Sequence, residues 1–210
     1  MPVAPNSRTR ERLHSRHREL QAQNAKDVAG KLGAALRSLP NLSDESRDIY
    51  VSRSVPIVAG GQRRAASLAA AYVRFLAGAR EGSPALELGR RGVTAESGWV
   101  ASPVARGRAK LAADLPWSAA IDAASTYAAG LASCDLQVAV RFGADAGAKS
   151  VDAEIIGWRM ELSPSACDWC QMVSGEAADN PRAYHDPDGL PFHEHCQCAP
   201  APIFADEISS

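Results

Sequence analysis

The chain has no long hydrophobic run, few aromatic residues and almost no net charge. Phe, Trp and Tyr make up 6% of its 210 residues. That is thin material for an aromatic-rich β core, and with abundant Ala it favours helices packed through small side chains. No apolar run approaches the roughly 18 residues needed to span a bilayer, so no membrane contact is expected. Met1 to Arg18 carries basic residues but no hydrophobic h-region, so no secretory signal is expected there. The expected setting is a reducing cytosol, or export by no standard route. Two catalytic signatures are also missing. There is no Gly-x-Ser-x-Gly elbow, and Ala59-Gly60-Gly61 lacks the Gly-Lys-Ser/Thr that would make a phosphate loop. No repeat of 20–50 residues is visible.

What is present reads first as helix. In residues 7–39, Leu13, His17, Leu20, Val28, Leu32, Ala35 and Leu39 recur at helical spacing between Arg and Glu residues. Ser7 suits the N-cap, and Pro40-Asn41 stops the helix. Ser43, Asp44, Glu45 and Ser46 open a second helix. Pro56 and Gly60-Gly61 are expected to interrupt it before it resumes from Arg63 to Arg80. Residues 84–101 read as a loop. A helix is expected from Pro103 to Ala113, and a long Ala-rich one from Pro116-Trp117 to about Gly143. Residues 155–162 have strand-like composition, bounded by Gly147 and Pro164. The expected fold is mainly α: an Ala-rich helical body with a small C-terminal zinc-stapled β-hairpin or loop module. Its parts are a basic amphipathic helix (1–42), a helical body (43–150) and a metal-binding module (151–210).

The net charge of −1 hides an asymmetry. Residues 1–38 hold eight Lys/Arg against three Asp/Glu, and residues 167–210 hold one Arg against eight acids. The basic end offers a weak contact for DNA or an acidic partner surface, with a solvated helix face as the plain alternative.

The chemistry concentrates near the C-terminus. Four of the five cysteines lie between residues 167 and 198, which in a reducing compartment indicates a metal set rather than a disulfide framework. Cys167-Asp168-Trp169-Cys170 is a Cys-x-x-Cys turn of the kind that aims two thiolates at one tetrahedral zinc. After 22 residues comes His193-Glu194-His195-Cys196-Gln197-Cys198. Cys196 and Cys198 would share a face of an extended strand, with His195 on the other. The candidate ligands are Cys167, Cys170, His193, Cys196 and Cys198, one more than a structural zinc takes. A thiolate-rich set leaves little reason for the open position of a catalytic metal. The last ~45 residues carry few large apolar groups, and a bound metal would supply folding energy on the order of 10 kcal/mol.

From Trp158 to Phe204 the sequence resembles the phage Mu F-type minor head proteins, or head-morphogenesis proteins, in their actinobacteriophage form. The resemblance rests on Cys167-x-x-Cys170, Gly175, Tyr184, Phe192-His193-x-His195-Cys196-x-Cys198 and the tail Ala201-Pro202-Ile203-Phe204. Upstream it extends only to the Ala-rich helical character and Tyr72-Val73-Arg74. It implies a minor capsid protein of a tailed phage, working at the portal vertex or capsid interior during head assembly. The implied partners are the portal and major capsid proteins, in the host cytoplasm and then the virion. Some relatives carry C-terminal toxin domains, which a chain ending shortly after Phe204 is not expected to have. Others are labelled capsid maturation proteases, but no catalytic constellation is evident here, so no enzymatic activity is expected.

The remaining candidates have plainer readings. His14 and His17, flanked by Arg16 and Arg18, read as a polar helix face. His185 falls in a turn, Tyr184 to Gly189. Cys134 reads as a small hydrophobe of the Ala-rich helix. Trp99, Trp117, Trp158 and Trp169 read as packing residues, with Trp169 placed to cover a metal site. Two other functions compete with the head protein: a zinc-module nucleic-acid binder, opposed by the acidic zinc end, and a zinc or cysteine hydrolase, opposed by the lack of an open ligand position or a base beside a thiol.

Overall fold

A computed structural model describes residues 7–78, 99–163, 166–174, 183–191 and 198–205. The elements are α1 (Ser7–Arg37), α2 (Asp44–Leu76), α3 (Ser102–Leu111), α4 (Trp117–Lys149), β1 (Ile155–Glu161), α5 (Asp168–Ser174) and β2 (Ala199–Phe204), with a 3-10 turn at Pro187–Gly189. The protein is mainly helical, with one small antiparallel sheet near the C-terminus. The expected loop at 84–101 falls mostly outside the described residues.

Three long helices, α1, α2 and α4, pack on one another, and α3 lies against α4. Leu32, Leu36, Tyr50, Val58, Val73 and Val104 are fully buried between them. The Ser43 side chain caps α2 by accepting from the Ser46 amide at 3.2 Å, and Asp44 and Glu45 meet the positive end of its dipole.

The expected break at Pro56 does not occur: α2 runs through it without interruption. Proline removes one helical hydrogen bond and costs about 3 kcal/mol in a helix interior. Here the apolar residues on both sides, Tyr50, Val58, Ala65 and Ala69, are all fully buried and hold the helix together. Gly61 is a contact residue rather than a breaker. A Cβ there would come within 2.5 Å of Val28 Cγ2, and its carbonyl accepts a hydrogen bond from the buried Asn24 side chain at 2.9 Å. The small residue lets α1 approach closely.

The same logic carries α4 past Gly143, its expected end, to Lys149. Gly143 and Gly147 lie directly on the backbone of Ala66 and Ala70 in α2. Alanine and glycine together therefore set the spacing between the two longest helices.

β1 forms where the sequence indicates it, but its partner is not a hairpin neighbour. The strands flank the whole stretch 162–198 and pair antiparallel, from Ile155↔Phe204 to Glu161↔Ala199. β2 contains Pro200 and Pro202, which have no N–H to donate. They stand opposite Met160 and Trp158, and Trp158 directs its own N–H and C=O away from β2, to Tyr184 at 2.8 Å each. The prolines thus occupy positions where the ladder asks for no donor. Both are fully buried, and Trp158 and Met160 opposite them are nearly so.

Candidate metal centre

The register of the sheet decides where the cysteines can meet. One step beyond the last pair, Glu161↔Ala199, the chain is at Leu162 on one side and Cys198 on the other. Cys167 follows Leu162 by five residues, so Cys167 and Cys198 both connect to this end of the sheet. Cys167 precedes α5, and its carbonyl accepts the Gln171 amide at 3.1 Å. Cys170 follows in the first turn of α5. Cys170 is 1% exposed and Cys198 2%, and both join the apolar cluster that holds Trp158, Met160, Leu190 and Phe204. Cys167 is exposed.

Tyr184 secures this end. Its backbone bridges Trp158, and its hydroxyl donates to the Val173 carbonyl of α5 at 3.0 Å. The expected turn after it is the 3-10 turn, capped by Asp186, which accepts from the Gly189 amide at 2.7 Å. Arg141 of α4 donates to the Asp188 carbonyl at 3.1 Å and anchors the turn to the bundle. His185 is exposed within it.

Two of the five candidate ligands, His193 and Cys196, lie outside the described residues, as does His195. Among the described residues no three His, Cys, Asp or Glu side chains stand close enough to hold a metal ion. The thiols of Cys167, Cys170 and Cys198 suit zinc chemically, but as placed the three do not form such a group. Trp169 is 39% exposed, as is Trp117, so neither packs as expected. Trp158 is buried. The Trp99 indole donates to Asp135 on α4 at 3.1 Å. Cys134 is half-buried on α4.

The larger correction concerns His14 and His17, which are buried rather than displayed on a polar face. Both meet Tyr72 of α2. The His17 ring stacks on it at 4.3 Å and 12°, while His14 Nδ1 shares a hydrogen bond with the Tyr72 hydroxyl. On the sheet side, Glu161 Oε2 lies 3.9 Å from His14 Nδ1. Glu161 Oε1 accepts from Arg18 at 3.3 Å, and Arg18 also donates to the Leu162 carbonyl at 3.3 Å. Arg10 lies over the Phe204 ring, 5.8 Å from its centroid. The N-terminal half of α1 thus reaches the C-terminal sheet through side chains, while β2 itself packs on α4.

Burial depresses His17 from its ordinary 6.5 to about 3, aided by the positive charges of His14 and Arg18. Between those values the unfolded chain holds a proton that the folded protein does not, so stability rises with pH across the window and is lost as pH falls below 6.5. Urea titrations at pH 7.5 and 5.5 should show a loss from this residue of about 1.4 kcal/mol at the lower pH. His17→Leu should reduce the difference by that amount.

No protein-family profile, curated protein or solved structure matches this chain.

Proposed function

We propose that this chain is a structural minor capsid protein of a tailed phage, acting at the portal or capsid interior during head assembly, with a structural zinc in its C-terminal module. The observation that carries the reading is the spacing Cys167-x-x-Cys170, Phe192-His193-x-His195-Cys196-x-Cys198 and its proline-bearing tail. The ligands are drawn from Cys167, Cys170, His193, Cys196 and Cys198. The metal closes the segment between residues 170 and 193, as structural zinc sites do in modules with little core of their own. Closely packed helices and a stapled tip make a rigid element suited to docking rather than catalysis.

Two cations of the basic end are engaged within the chain, Arg10 over the Phe204 ring and Arg18 on Glu161. Arg8, Arg12 and Arg16 remain exposed one turn apart on α1. They form the surface through which an acidic neighbour, or DNA in the second reading, would be held. Such contacts weaken with salt, because exposed charges are screened over about 8–10 Å at physiological ionic strength.

Co-expression with the portal protein and pull-down at low and high salt is the direct test. The expected result is retention of the portal protein, reduced by salt, and detection of this chain in purified virions by mass spectrometry. Absence from virions together with no association with portal or capsid protein would remove the assignment. A salt-dependent DNA shift without either association would favour the nucleic-acid reading.

A further inference from the structure

The cluster at the N-terminal half of α1 links that helix to the C-terminal sheet through titratable groups, of which His14, His17 and Tyr72 are buried and Arg18 and Glu161 half-buried. From α1 come His14, His17 and Arg18, from α2 Tyr72, and from β1 Glu161. Among the described residues β2 adds no titratable group to it. His17 is 4% exposed, and its Nε2 has no hydrogen-bond partner. A proton placed there would have no acceptor and would face the Arg18 guanidinium and the second imidazole. Glu161, the one carboxylate facing the cluster among the described residues, is already bonded to Arg18. It stands close enough to offset a charge on His14, but then two imidazolium groups and a guanidinium would share one carboxylate.

We propose that the His14–His17–Arg18–Tyr72–Glu161 cluster is an acid-sensitive latch, whose protonation releases the β1–β2 sheet from the N-terminal half of α1 while the rest of the helical bundle stays folded. The opening is local because the remainder of α1 is held separately. Asn24 donates to the Gly61 carbonyl and Gln21 to the Ala65 carbonyl, each at 2.9 Å. Val28, Leu32 and Leu36 are buried in the helical core. None of these contacts involves the sheet. The contacts of α1 that do, Arg10 over Phe204, His14 beside Glu161, and Arg18 to Glu161 and to the Leu162 carbonyl, all lie within two turns of His17. The latch does not depend on the head-protein reading or on the zinc site.

The test is hydrogen exchange on the full-length, metal-replete protein at pH 7.5 and 5.5, with each rate divided by the intrinsic rate at the same pH. Peptides covering 7–18 and 155–161 should lose about tenfold in protection at pH 5.5, the change expected for one proton taken up over one pH unit. Peptides within α2 and α4 should change by less than threefold. In His17→Phe, which keeps a ring to stack on Tyr72 but cannot take a proton, the loss should fall below threefold. Acid also weakens thiolate–metal bonds, but it does so equally in both proteins. Uniform loss across all helices, or the same tenfold loss in His17→Phe, would overturn the proposal. Glu161→Gln supplies a second arm that does not need the His17 variant to fold. Removing the carboxylate should move the midpoint of opening to higher pH, and an unchanged midpoint would contradict the latch.

Discussion

Gly143→Ala is expected to destabilise the folded protein by about 3 kcal/mol, at or above the upper end of ordinary overpacking. The added methyl would overlap the carbonyl oxygen of Ala66 and sit 2.5 Å from its Cα. Both are backbone atoms of a helix that cannot yield locally. α2 and α4 would have to separate, and the contacts of Ala70 with Gly147 would open with them. Urea denaturation measures the change. Gly30→Ala is the matched control, because a Cβ at Gly30 meets nothing within 4 Å. There the gain in helix propensity, about 1 kcal/mol, should appear as stabilisation. Two Gly→Ala changes in helices of one protein, with opposite signs, would identify helix spacing as the cause. A Gly143→Ala protein as stable as the wild type would show that the α2–α4 interface is looser than the structure has it.

Cys170→Ser is expected to unfold the chain after about Val151 and leave α2 and α4 intact. A structural zinc contributes on the order of 10 kcal/mol at neutral pH, and the loss of one thiolate forfeits much of it. The C-terminal module has limited means of replacing that energy. Its buried residues Trp158, Met160, Leu190 and Phe204 are covered by one another and by the bundle. Its polar anchors to the helices include Arg18 to Glu161 and to the Leu162 carbonyl and Arg141 to the Asp188 carbonyl, each of which contributes about 1 kcal/mol. Limited proteolysis should cut freely beyond residue 151 in Cys170→Ser and in Cys198→Ser, while far-UV circular dichroism retains most of the helical signal. Cys134→Ser, on α4 and outside the proposed ligands, should leave the module protected. A protected C-terminal module in either ligand variant would sink the folding argument.

The sequence revealed the helices well and their continuity poorly. Periodicity located α1, because apolar residues at helical spacing are a direct consequence of one buried face, while capping residues, prolines and alanine content located α2, α3 and α4. It misjudged Pro56, Gly60-Gly61 and Gly143 as breakers. Whether proline or glycine ends a helix depends on what the flanking turns bury, and that is a tertiary fact. The signal for His17 was in the sequence all along: it falls in the same stripe as Leu13, Leu20 and Val28. Its neighbours Arg16 and Arg18 suggested a polar face, but in a helix adjacent residues point some 100° apart. β1 was legible from Ile155, Ile156 and Trp158. β2 was not, because Ala-Pro-Ala-Pro has low strand propensity, and its prolines are tolerated only through a hydrogen-bond pattern that the register sets. Of the candidate ligands, the sequence specified the spacing but not the convergence. The sheet register accounts for how Cys198 comes to the end of β1 from which the chain leads to Cys167.

The metal content of the purified protein tests the central claim most directly. Elemental analysis of folded, reduced protein never exposed to chelator should find about one zinc per chain, as expected for one tetrahedral structural site. A stoichiometry near zero in that same folded protein would contradict it.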